Sequence, residues 1–206
     1  MKHLKTLGLI GLVIGALLSL AGSASATALT SNGATYTGEF VAKATGVRIH
    51  RPTFGEGKWS LTCNSTISGK VSGHGAAVTA TVVLGTFFLT ECVSEVNPNA
   101  EAKILKPGTL EIHTASGDST GSTGNGTVTW SGPFELTTSI GPVPINEHCI
   151  FKLSNADIGS ITGSKNTGAT AKFNLDALLS TNLACGVSAE LTGTYTVNTP
   201  DNLNIH

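Results

Sequence analysis

The chain has 206 residues, only 12% of them charged, and a formal net charge of −1. Charged residues usually make up about a quarter of a globular protein. Here the two arginines, Arg48 and Arg51, sit together and the lysines are scattered, so the clustered cationic surface that nucleic-acid binding needs is not expected. Low charge also argues against disorder, and the abundance of Thr, Ser, Gly and Asn fits an extracellular β protein with a hydroxyl-rich surface.

The first segment reads as a targeting signal. Lys2, His3 and Lys5 precede an apolar run from Leu7 to Leu20, and Ala24-Ser25-Ala26 supplies a small-residue cleavage site. The run is too short to stay as a comfortable bilayer anchor. Leu20-Ala21-Gly22-Ser23 is similar to a bacterial lipoprotein box, but Ser23 stands where the lipidated cysteine would be. The expectation is a signal peptide over residues 1–26 and a single domain over 27–206. That domain would be secreted or extracellular (periplasmic in a two-membrane host), with no membrane span after leader removal.

Period-two alternation then dominates, the mark of strands with one buried face. It runs through Ala34–Phe40, Thr109–His113, Gly126–Trp130 and Ala171–Leu175, and is clearest in Val187–Val197. Arg48-Ile49-His50-Arg51 reads as a solvated edge strand, with an anionic-ligand patch as the functional alternative. Val78 to Leu84 is more continuously apolar and, with Phe87, Phe88 and Leu89, is expected to supply central core strands. Asp176–Ser180 fits either one helical turn or a continuing strand. Turn residues recur every ten positions or so, at Gly55-Glu56-Gly57, Gly73-His74-Gly75, Asn97-Pro98-Asn99 and Gly141-Pro142. Many short strands at that spacing indicate a sandwich or barrel. The expectation is an all-β, antiparallel β-sandwich, Ig-like or jelly-roll-like.

Four cysteines lie beyond the leader: Cys63, Cys92, Cys149 and Cys185. An even number in an exported chain argues for two disulfides, with three pairings formally open. Cys63–Cys92 and Cys149–Cys185 are expected, because each pair brackets a compact alternating stretch. A weak internal echo supports this: each first cysteine is followed by a glycine-punctuated strand, a turn and a strand ending at the second. No C-x-x-C and no paired histidine spacing points to zinc; His113 and His148 stand without ligand partners in sequence. No metal and no cofactor are expected.

The segment Gly117-Asp118-Ser119-Thr120-Gly121 spells the hydrolase pattern G-x-S-x-G. A nucleophile elbow needs a helix after the serine, yet Gly121-Ser122-Thr123-Gly124-Asn125-Gly126 comes next. Between His50 and Ser119 the only aspartate is Asp118, which defeats a histidine–aspartate–serine order. Asp157 or Asp176 followed by His206 satisfies the α/β-hydrolase order, but no α/β pattern accompanies it. Ser119 is therefore read as a turn residue. Glu91 with Glu95, and Glu135 with Glu147, are the carboxylate pairs a glycosidase reading would use. Trp59, Trp130, Tyr36 and Tyr195 lie on patterned strands and are assigned to the core. Asn64-Ser65-Thr66 and Asn125-Gly126-Thr127 match the glycosylation sequon, which matters only in a eukaryotic secretory host. No catalytic residue is assigned.

Leu61-Thr62-Cys63-Asn64-Ser65-Thr66-Ile67-Ser68-Gly69-Lys70-Val71 with Cys92 beyond, Thr129-Trp130, and Cys185 before the last long strand carry a resemblance. In these the chain resembles small secreted bacterial proteins of the alkane-oxidation activator (PraB-like) type, and cysteine-patterned secreted β proteins of unknown function. The resemblance lies in cysteine placement and strand cadence over most of the chain. It implies an exported, non-catalytic accessory protein acting at the cell surface or a hydrophobic interface and linked to the use of hydrophobic substrates. The alternative is a self-assembling fibre, matrix or adhesin subunit that adds a strand to its neighbour through Ala34–Phe40 or Asn202–Ile205. A secreted hydrolase is the third reading. The partners these imply are a hydrophobic surface, the cell envelope or another copy of the chain.

Overall fold

A computed structural model describes residues 29–50, 60–74, 79–94, 100–114, 123–140, 147–164, 168–180, 185 and 188–205. Within them the regular structure is β1 (Leu29–Ser31), β2 (Ala34–Thr35), β3 (Glu39–His50), β4 (Ser60–His74), β5 (Thr79–Ser94) and β6 (Glu101–Lys106). It continues as β7 (Thr109–Thr114), β8 (Thr123–Ile140), β9 (Glu147–Ser164), β10 (Gly168–Ser180), β11 (Ser188–Thr199) and β12 (Leu203–Ile205). Asp176–Ser180 belongs to β10 and passes a register shift between Leu175 and Leu178.

Every ladder is antiparallel, and β3, β4, β5, β7, β8, β9, β10 and β11 succeed one another around a ring. The ring closes because β11 pairs back onto β3, through Leu191↔Ile49, while β8 and β9 pair along their whole length. This corrects the expected sandwich. Alternation of buried and exposed residues is common to a sandwich and a barrel, and only the long-range β11–β3 ladder tells them apart. The same ladder corrects the edge-strand reading for Arg48–His50, since β3 lies between β4 and β11; Arg51 lies outside the described residues. β6 and β7 lie end to end along one edge of β8, broken at Pro107-Gly108.

The barrel is filled rather than hollow. Trp130, Phe134, Phe151 and Tyr195 are fully buried, and Phe87 and Phe173 nearly so. Trp130 meets Phe134 edge-on with centroids 4.8 Å apart, and Phe173 lies 4.9 Å from Tyr195. Phe87 bridges the two groups at about 6 Å from Trp130 and Phe134. Burying each such side chain is worth about 1.5–3 kcal/mol, so this cluster contributes to the barrel's cohesion together with the buried aliphatic residues around it. Tyr195 donates its hydroxyl to Ser65 Oγ at 2.9 Å, and burial pushes its pKa up despite that bond. Trp130 and Tyr195 thus occupy the core as their strand pattern predicts. Apolar residues face inward and mostly polar ones outward, the reverse of a bilayer-spanning barrel. No helix among the described residues is long and apolar enough to cross a membrane.

A three-stranded sheet of order β12-β1-β2 caps one end of the barrel. Leu29 pairs with Ile205 and Ser31 with Leu203, so segments near the two ends of the described chain are joined. Leu29, Leu203 and Ile205 are buried against the wall where β8 begins and β9 ends. Two wall glycines make the seat: a Cβ on Gly124 would stand 1.7 Å from the Ile205 carbonyl oxygen, and one on Gly163 3.0 Å from the Leu203 carbonyl.

Both disulfides lie toward the other end. Cys63–Cys92 joins β4 to β5 across a Cα separation of 4.1 Å, and Cys149–Cys185 ties β9 to the residue between β10 and β11 across 5.5 Å. No described cysteine is free. The expected pairing is the observed one, and each bridge closes the open end of a hairpin. Disulfides persist in oxidising compartments, so two of them point to an environment of that kind.

Candidate functional site on the outer wall

β5 has an ordinary inner face, with Ala80, Val82, Leu84 and Phe87 buried. Its outer face is not ordinary. Val83, Phe88 and Val93 are 48%, 57% and 65% exposed, and Leu105 on β6 is 47% exposed. These four are the large apolar side chains that the described surface leaves open to solvent. Val83 to Val93 spans ten residues, roughly 33 Å at 3.3 Å per residue, so the three on β5 form a long stripe.

Plain alternation turns Val83 outward, and register shifts on β5 bring Phe88 to the same face as Val83 and Val93. β5 slips against β4 between Ser68 and Gly69 and again between Thr62 and Asn64. Each slip adds a residue to β5 and reverses the inward–outward parity of the residues beyond it. The second lies at the Cys63–Cys92 bridge, where Glu91 takes a left-handed φ of 51° and receives a 2.5 Å hydrogen bond from Asn64 Nδ2. The expectation that Phe87, Phe88 and Leu89 all serve the core is therefore only partly met: Phe87 is buried, Leu89 half-buried and Phe88 outside. Strict alternation from Val82 would have placed Phe88 inside, and Gly85, the residue left over at the slip, is the one local mark of it.

Beside Val83 a groove of about 540 Å³ runs over β3, β4 and β5, with Val41, Gly69 and Gly85 among its lining and Glu39 and Lys70 at its polar edge. Gly69 is required there, since a Cβ would come within 2.4 Å of the Val83 carbonyl oxygen. On the other side of the stripe the barrel wall has a seam. β5 is laddered to β7 only from Thr79 to Val83, and β6 is laddered to β8. Among the described residues, the Leu84–Ser94 half of β5 and β6 lie alongside each other without a ladder.

The other sequence candidates do not converge. Ser119, Trp59, Arg51, Glu95 and His206 lie outside the described residues, as do the side chains of Glu147, His148 and Asp176. Glu135 is held between Lys106 and Lys152, at 2.9 and 3.1 Å. Arg48 Nε donates to Ser60 Oγ at 3.0 Å, and His50 Nε2 lies 2.9 Å from Glu190 Oε2 on the neighbouring β11. His113 lies 3.9 Å from Glu111, and Asp157 accepts a hydrogen bond from Thr129. Tyr36 packs at the core margin and donates to the Glu39 carbonyl; burial, then the Glu39 charge, raises its pKa. Among the described residues no three His, Cys, Asp or Glu side chains group as metal ligands. The sequence passed over two features the structure assembles: the outward stripe on β5, and the Lys106–Glu135–Lys152 row drawn from three strands. No known protein family, no curated protein and no solved structure matches this chain.

Proposed function

We propose that this is an exported, non-catalytic accessory protein that acts outside the cytoplasm by adsorbing to an apolar surface or phase through the outer wall of β5. The observation that carries the reading is the stripe of Val83, Phe88 and Val93 with Leu105 beside it. Large apolar side chains lined up along one strand of an otherwise polar wall offer a surface for apolar contact. On the outward face of β5 itself Glu91 is the charged residue, and it is engaged by Asn64, while Lys70 stands across from Val83 and Lys106 follows Leu105. The filled interior supports a wall-borne rather than a lumen-borne site. The resemblance to secreted proteins linked to hydrophobic-substrate use suggests hydrocarbon as the phase.

Partition of oxidised protein to a hexadecane–water interface, followed by pendant-drop tension, tests this. The wild type should lower the tension more than a globular control of equal size, and the triple variant Val83→Thr, Phe88→Thr, Val93→Thr should behave like the control. Equal adsorption of wild type and variant would refute it.

A second reading, assembly by strand addition, is favoured by the seam, since unladdered strand edges are templates for another chain. The donors named from sequence are already engaged: Leu203–Ile205 pairs with β1, Ala34–Thr35 pairs with β1, and β3 is a wall strand. A copy that donates a strand would have to release one of these. Light scattering on the residue 199–206 deletion tests it, because loss of the β1 partner should abolish any oligomer built by exchange.

A further inference from the structure

We propose a second site, independent of the apolar stripe: the concavity around Lys106, Glu135 and Lys152 binds a carboxylate-bearing sugar, the uronate unit of an acidic polysaccharide. Lys106, Glu135 and Lys152 are register partners across β6, β8 and β9, so the three side chains stand in one row on the outer wall. Both carboxylate oxygens of Glu135 are used, one by each ammonium. The Glu135 side chain is only 14% exposed, while the lysines are 57% and 55% exposed. The arrangement therefore holds two cations against one shielded anion and turns the surplus positive charge outward. Each ammonium carries three N–H donors and spends one on Glu135, which leaves donors from both for an incoming carboxylate. Hydrogen bonds from the two lysines hold the Glu135 carboxyl below its usual pKa, so it keeps them together at neutral pH.

The surroundings fit a hydroxylated ligand. The concavity measures about 740 Å³, within the usual range of roughly 300–1,000 Å³ for small-molecule sites. Beyond the charged row, Ser154 and Asn155 line it with polar side chains, and Pro133 offers an exposed apolar ring to the C–H face of a sugar. Its shape comes from a bulge: Trp130 pairs with Ala156 but Pro133 pairs with Ser154, so β8 carries one extra residue. Gly132 sits at φ 85° and Asn155 at φ 39°, and Asn155 Oδ1 accepts the Gly132 N–H at 2.9 Å. A non-glycine residue in that region is strained and persists where the surroundings impose it. Bulges that re-aim side chains are over-represented beside functional sites.

Calorimetric and NMR titration of the oxidised chain with a galacturonate trimer, its carboxyl-reduced neutral counterpart and inorganic phosphate tests the assignment. The acidic trimer should bind, shifting the amides of Ser154, Asn155 and Ala156, at least tenfold more tightly than the neutral trimer. Lys106→Gln with Lys152→Gln should reduce that affinity at least tenfold. Should the double variant not fold, Lys152→Gln alone must still weaken binding several-fold. Equal binding of the neutral trimer, indifference to the lysine variants, or no binding of the acidic trimer would each overturn the site. Phosphate binding as tight as the trimer would overturn the sugar assignment.

Discussion

At the end of the barrel where β8 begins and β9 finishes, the opening is sealed by chain that lies far apart in sequence: β1 and β12 pair and press Leu29, Leu203 and Ile205 onto the wall. At the opposite end, where β4 and β9 begin, the strands are held by Cys63–Cys92 and Cys149–Cys185. The first closure depends on backbone approaching backbone over Gly124 and Gly163. It has to be packed correctly to contribute anything. The second restricts the unfolded chain and contributes about 3–4 kcal/mol per bridge on chain-entropy grounds, largely independent of packing. The stapled strands therefore stay together without the close backbone fit that the cap requires.

Removing one closure at a time should show whether the two ends are independent. Gly124→Val puts side-chain atoms where the Ile205 carbonyl lies, so the cap must lift. Exposing Leu29, Leu203 and Ile205 together should cost about 5–9 kcal/mol at ~1.5–3 kcal/mol per side chain. Urea unfolding should show it, with amide exchange rising first in β1 and β12. A variant as stable as the parent would show that the cap is not seated on that glycine. Replacing Cys63 and Cys92 by serine should cost somewhat less, about 3 kcal/mol, read as a lower urea midpoint. The two losses should be additive, since the sites lie at opposite ends and share no partners. Reductant should therefore lower the stability of the parent and of Gly124→Val alike. A reductant effect that vanishes in Gly124→Val would mean that the two closures are one cooperative device.

The difference between the ends also separates what sequence reveals from what it hides. The staples were legible: each cysteine pair brackets a compact hairpin, β4–β5 or β9–β10, whose turn is marked by glycine, at Gly73-His74-Gly75 and Gly168. The cap was not. Leu203-Asn204-Ile205 reads locally as a spare strand, and only the tertiary fold shows that Leu29 is its partner. Closure into a barrel was hidden for the same reason, since the β11–β3 ladder joins residues far apart in sequence. The outer stripe was hidden by register. Alternation counted along Val78–Leu89 places Phe88 inward, and the slip that turns it outward is a property of how β5 meets β4. The Lys106–Glu135–Lys152 row draws one residue from each of three strands, so no spacing along the chain encodes it.

Between the ends, the core offers a smaller test. Tyr195→Phe removes the hydroxyl that Ser65 accepts from, in a site with no exposure to water. Loss of one buried hydrogen bond should cost about 1 kcal/mol. If both ends owe their stability to local closures, this loss should leave the exchange rates of β1 and β12 unchanged relative to the rest of the molecule. A selective loosening of the cap would show that the barrel interior holds it.

The smallest expected effect lies on the wall itself and concerns pH. Glu135 is held below its ordinary pKa, chiefly by hydrogen bonds from Lys106 and Lys152. A carboxyl with a depressed folded pKa binds protons less readily in the native state than in the unfolded one. Its contribution is therefore complete above the unfolded value of about 4.3 and disappears as pH falls through the folded value. Wild type should lose a little stability on acidification below about pH 5, in addition to what its other carboxylates lose. Glu135→Gln should lose less over the same interval, so the gap between the two proteins should narrow as pH falls. Because both lysines are more than half exposed, the gap should also shrink in high salt. A gap that stays constant from about pH 6 to about pH 3, an interval that brackets the ordinary carboxyl range, would mean that Glu135 supports the β6–β8–β9 wall through packing alone. This part of the molecule would then be held like the cap rather than by charge.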